Sequence, residues 1–143
     1  MNRNTVVYII GPYRAATING IHDNIQRARA AAVKYWRLGY TVLCPHLNSA
    51  LMDGAVTDQE FLAGGLELLK RCDIVVLLPG WERSSGSRIE RDLAISLHKE
   101  TIVEEANAGQ GVNMRYSLSG LLKPWREARG MNREAIAKVT KLS

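Results

Sequence analysis

Cysteine is scarce in this chain: two in 143 residues, Cys44 and Cys72, each in or beside an apolar segment. Two isolated cysteines fit buried, reduced thiols better than a disulfide framework, which favours the cytosol. No grouping of histidine and cysteine has the spacing of a zinc site, so no metal and no other cofactor is expected. No apolar run approaches the roughly 18 residues that a membrane span needs. The opening MNRNTVVYIIG has a short apolar run without a small-residue cleavage pattern, so no secretory signal is expected. Repeats and low-complexity segments are also missing. What is present is a length suited to one domain and a hydrophobic content of 46%, enough for a real core.

The net charge of +5 is unevenly placed. Basic and acidic residues balance at 12 each over residues 1–114, and the last 29 residues carry seven basic residues against Glu127 and Glu134. A basic tail can touch nucleic acid or a phosphorylated ligand. No aromatic stacking pattern accompanies it, which favours a solvated terminal helix or a subunit contact over a nucleic-acid arm.

The apolar pattern alternates strand and helix. TVVYIIG reads as a buried strand, Thr5–Ile10, ending at Gly11. A loop follows, then a helix over about Ile21–Leu38, with Ile21, Ile25, Ala28, Ala32 and Tyr35 or Trp36 at helical spacing and Gly39 as its stop. YTVLC is the second strand, ended by Pro45. Thr57, with Glu60 three residues on, is a capping-box start for a helix to about Arg71, weakened in its middle by Gly64 and Gly65. CDIVVLLP is a third strand with both faces covered, Ser85–His98 a third helix and TIVEE a short fourth strand. A last helix is expected near 132–141. This order predicts a doubly wound, flavodoxin/Rossmann-like α/β fold: a parallel sheet of four to five strands with helices on both faces. Residues 1–106 are the expected nucleotide-binding domain. Residues 107–143 are a basic extension packed on that domain or on a subunit interface.

Ligands of such sheets bind beyond the carboxyl ends of the strands. Three segments meet there: GPYR, PHLNS and PGWERSSGS. Glu90 sits in the first turns of the third helix. It either answers the helix dipole or does chemistry, and a carboxylate at that edge suits attack on a sugar carbon. Gly86 lets the backbone approach a ligand, with Ser85 or Ser87 as the cap. Arg14 suits a phosphate or carboxylate, and Ser84, Ser85 and Ser87 offer hydroxyls and N–H groups to the same anion. Tyr8 is a phenol in an apolar strand: either a core tyrosine bonded to a carbonyl, or a partner for a carboxylate from the third strand's end. Tyr13, His46 and Trp81 are flat side chains able to stack on a base. Trp81 equally suits packing over the sheet edge, and His46 equally suits polar surface.

YIIGPYR, GYTVLCPH and CDIVVLLPGWERSSGSRIE together resemble the nucleoside 2-deoxyribosyltransferase superfamily. Within it they are similar to the small phage and bacterial branch and to the 2'-deoxynucleoside 5'-phosphate N-hydrolases. The resemblance covers about residues 5–104. It implies that Glu90, four positions after Gly86, is the nucleophile, and that Tyr8, three before Gly11, orients it. It implies that Arg14 grips a 5'-phosphate, and that Ser84, where transferases carry aspartate, favours a nucleotide over a free nucleoside. One departure stands out: the superfamily's aspartate eight positions before Asp73 falls on Gly65. That carboxylate helps protonate the leaving base, and Asp53, Asp58, Glu67 or His46 are the available substitutes. The expected activity is cleavage or transfer of the N-glycosidic bond of a 2'-deoxyribonucleoside 5'-monophosphate. The alternative is a nucleotide-binding or sensing protein of the same fold without turnover. A homodimer or larger homo-oligomer is expected, with 114–121 a candidate contact, and no membrane partner.

Overall fold

A computed structural model describes residues 2–106 and 115–117. Strand β1 (Asn2–Ile10) leads to helix α1 (Ile18–Arg37), strand β2 (Tyr40–Leu43), a single turn α2 (Pro45–Asn48) and helix α3 (Asp58–Lys70). Strand β3 (Ile74–Leu77), helix α4 (Ser85–Ser96), strand β4 (Glu100–Glu104) and strand β5 (Arg115–Ser117) complete the described chain. The sheet order is β2-β1-β3-β4-β5. The first four strands are parallel, as the sequence predicts, and β5 pairs antiparallel with β4. The expected helix near 132–141 and the rest of the basic extension lie outside the described residues, as does most of the 114–121 segment.

Alternation along β1 divides the core. Val7 and Ile9, with Ile74 and Val76 of β3, pack under Ala28, Ala31, Ala32 and Tyr35 of α1. Tyr8 and Ile10, with Val75 and Leu77, face Leu69 of α3 and Ala94 of α4. Period-two alternation in a strand covered on both faces requires this division, and it aims Tyr8 at α3 and α4. Small alanines on α1 let that helix lie close to the sheet.

Local signals set the helix starts. Thr17 accepts a hydrogen bond from the Gly20 N–H at 2.9 Å, so α1 begins a turn earlier than its apolar spacing suggests. Thr57 and Glu60 form the reciprocal capping box, and α3 runs unbroken through Gly64 and Gly65. Ser84, rather than Ser85 or Ser87, caps α4: its Oγ accepts from the Ser87 N–H at 3.2 Å. Between β3 and α4, Gly80 takes a left-handed conformation (φ 92°) that a side chain would strain. Where a doubly wound sheet has the order 2-1-3-4, the chain leaves β1 and β3 in opposite directions and opens a crevice between their carboxyl ends.

Candidate functional site

A cavity of about 1130 Å³ opens at that crevice. The β1 loop supplies Gly11, Tyr13 and Arg14 to its wall, and His46 comes from α2. Helix α3 contributes Asp58, Phe61, Leu62 and Gly65. The start of α4 contributes Ser84, Gly86, Ser87, Ile89 and Glu90. Glu90 and Arg14 therefore share one cavity.

Tyr8 lies wholly inside the core, and its hydroxyl is 2.7 Å from Glu90 Oε2 and 3.1 Å from the Gly65 carbonyl oxygen. A phenol has one proton to donate. When Glu90 is ionised, that proton goes to the carboxylate. When Glu90 is protonated, its O–H donates to the phenol oxygen and the phenol donates to Gly65. The pair is satisfied in both states, which suits a carboxyl that must ionise in place. Burial pushes the Glu90 carboxyl up to about 7, against the Tyr8 hydrogen bond, which favours ionisation. Burial and the neighbouring Glu90 charge hold the Tyr8 phenol well above the usual range.

Gly65 is the close approach that makes this possible. A Cβ there would stand 2.9 Å from the Tyr8 hydroxyl and 3.4 Å from Glu90 Oε2. The space where a side chain at position 65 would begin is thus taken up by the tyrosine–glutamate pair.

At the cavity mouth, Arg14 is already engaged. Its Nε and Nη2 donate to both oxygens of Asp58 at 3.1 and 2.7 Å, and Nη1 donates to Asp53 at 3.2 Å. The guanidinium lowers the Asp58 carboxyl below its ordinary range, and the carboxylates raise the arginine in turn. Tyr13 donates to the other Asp53 oxygen at 2.6 Å, and burial together with this bond pushes its phenol up to about 12.

His46 is not polar surface. It is 6% exposed, its Nε2 lies 2.9 Å from the Pro12 carbonyl, and it meets the Tyr13 ring edge-on at 5.8 Å. A carbonyl accepts only, so Nε2 carries the proton and the ring is read as that tautomer. Burial lowers its basicity. Of the substitutes for a leaving-group acid, Glu67 is excluded by position: it is bound to Arg71 at 2.9 Å on the outer face of α3 and is not part of the cavity wall.

Of the two places the sequence offers Trp81, the structure takes packing against the sheet rather than base stacking. After the Gly80 turn its ring packs against the α3/α4 side of the core, with the Arg91 guanidinium 5.2 Å from its centroid, and it does not line the cavity. Phe61, Leu62 and Ile89 supply apolar side chains to the cavity wall instead. Helical spacing from Phe61 to Gly65, and the adjacency of Ile89 to Glu90, were the signals available for it.

An open, doubly wound sheet carrying a part-buried carboxylate at its switch-point crevice defines the class of protein. Residues 5–103 match the family described as "Domain of unknown function (DUF4406)", and the chain belongs to that family. Its fold is that of the 2-deoxyribosyltransferases. The enzyme from the psychrotolerant bacterium Bacillus psychrosaccharolyticus superimposes with a TM-score of 0.62 at 16% identity, covering 92% of this chain and 96% of that one. The Leishmania mexicana 2-desoxiribosyltransferase superimposes with a TM-score of 0.53 at 14% identity, covering 96% and 97%. No curated protein matches the sequence.

Proposed function

We propose that this protein cleaves or transfers the N-glycosidic bond of a 2'-deoxyribonucleoside 5'-monophosphate, with Glu90 as nucleophile. The observation that carries this reading is the 2.7 Å bond between Tyr8 and Glu90 at the wall of the cavity. Glu90 attacks C1' as the base departs, giving a glycosyl-enzyme. Water then releases the sugar phosphate, or a second base takes the sugar. Tyr8 holds the carboxylate in line. The likeness of fold to 2-deoxyribosyltransferases is consistent with this chemistry.

The phosphate is assigned to the start of α4, where first-turn N–H groups of Ser85 and Gly86 and the helix dipole favour an anion. Arg14 has five N–H donors, and three serve Asp53 and Asp58, which leaves two for a phosphate. The base rests on Phe61, Leu62 and Ile89, with Tyr13 at its rim. Replacement of Glu90 by alanine is expected to abolish base release, seen by chromatography of products from the common deoxyribonucleoside monophosphates, with the circular dichroism spectrum unchanged. Retained release would remove the nucleophile role.

The packing at Gly65 favours a second reading, a nucleotide-binding or sensing protein without turnover, because no side chain there can serve as an acid. Nucleotide-dependent thermal stabilisation without any free base would support it.

A further inference from the structure

We infer, resting on the glutamate-nucleophile reading above, that the base this site expels carries a positive charge at its glycosidic ring before cleavage: the substrate class is an N-glycoside of a cationic heterocycle, such as a pyridinium or an N7-alkylated purine. The argument starts from the fate of an electron pair. When the C1'–N bond breaks, both electrons stay with the nitrogen. A neutral base then leaves as an anion and needs a proton, and a positioned acid is worth about a hundredfold or more. A cationic base takes the same pair and leaves neutral.

Among the described residues, each acidic proton lining this cavity is already committed. Position 65, directly beside the Tyr8–Glu90 pair, has no room for a side chain. Asp53 and Asp58 hold the Arg14 guanidinium as carboxylates. The Tyr13 proton is bound to Asp53 at 2.6 Å, and the His46 Nε2 proton to the Pro12 carbonyl at 2.9 Å. Tyr8 is sealed in the core between Glu90 and Gly65. Arginines do not give up protons in proteins.

The Glu90 carboxylate itself attracts a cation. Phe61, Leu62 and Ile89 share the cavity wall with the carboxyl, and the arginines of that wall include Arg14, which already serves Asp53 and Asp58. A flat cationic ring laid against that wall gains an aromatic face and favours the ionised nucleophile. The step balances as follows. A Glu90 oxygen forms a bond to C1', the C1'–N bond breaks, and its electron pair neutralises the ring. A water oxygen then forms the new bond to C1', the ester C1'–O bond breaks, its pair restores the carboxylate, and the water's proton goes to solvent.

The test compares deoxyguanosine monophosphate, its N7-methyl derivative and a pyridinium 2'-deoxyribonucleoside 5'-monophosphate, with wild type and with Glu90→Gln, after subtraction of non-enzymatic release. Release from one or both cationic substrates is expected to exceed that from the neutral one by about 100-fold, and to vanish in the variant. Which cationic substrate responds identifies the heterocycle. A ratio nearer to one than to 100-fold, with release still dependent on Glu90, overturns the cationic-base inference and leaves the nucleophile reading standing. Release that persists in Glu90→Gln, or no release from any of the three, overturns the nucleophile reading and this inference with it.

Discussion

Three residues from three elements, Tyr8, Gly65 and Glu90, meet through two hydrogen bonds of one phenol. The raised Glu90 carboxyl has a consequence for stability. The folded state keeps the proton up to about 7, whereas the ordinary value is 4.5. Its contribution is therefore fully present below pH 4.5 and is lost as pH rises to about 7. Glu90→Gln is expected to remove that slope. Urea denaturation at both ends of the window checks it, with a wild-type difference on the order of 2 kcal/mol attributable to this group. Activity follows the opposite sign, because a nucleophile must be ionised: base release is expected to rise with pH through about 7. At Gly65, helix propensity alone would make Gly65→Ala stabilising by about 0.5–1 kcal/mol. A methyl group 2.9 Å from a buried, bonded hydroxyl reverses the sign. Gly65→Ala is expected to destabilise by about 1–3 kcal/mol. Most of that loss should disappear in a Tyr8→Phe background, as a double-mutant cycle of denaturation free energies would measure.

Among the elements, the parallel strands and the long helices were legible because continuous apolar runs and 3.6-residue spacing fit little besides buried strands and amphipathic helices. The α3 start was legible to the residue, since Thr57 and Glu60 are the two halves of one motif. Thr57→Ala is expected to lower stability by about 1 kcal/mol without altering the circular dichroism spectrum of the folded state. The α2 turn was not legible. Four residues beginning at a proline carry no periodicity, and PHLNS reads equally as loop. The turn at Trp81–Arg83 was missed for a related reason: the left-handed Gly80 decides where the tryptophan goes, and a flat side chain in a ligand-facing loop gives no sign of which way the loop folds. The apolar wall was legible only in part. Phe61 lies one helical turn before Gly65, but which face of α3 meets the crevice depends on how that helix packs beside α4, a long-range fact.

For the whole molecule, the strand order decides the site. Only when β1 and β3 lie side by side does the inward face of Tyr8 meet α3 and α4 together. Sequence reasoning brought Glu90, Tyr8, Arg14, Tyr13, His46, Gly11, Ser84, Gly86 and Ser87 to this end of the sheet. It did not foresee that Arg14 would hold two carboxylates, because single exposed aspartates on a distant loop carry no mark of their partner. That clamp ties the β1 loop to the connection between α2 and α3 and to the first turn of α3. Its members are about half exposed to water, so the tie is electrostatic and unshielded from dissolved ions. The rigidity of the entrance is therefore a property of the buffer as well as of the fold. In dilute solution the two loops are pinned together. At molar salt the same pairs are screened, and the rate at which solutes pass in and out is expected to depend on ionic strength while the Tyr8–Glu90 pair behind them keeps its bond.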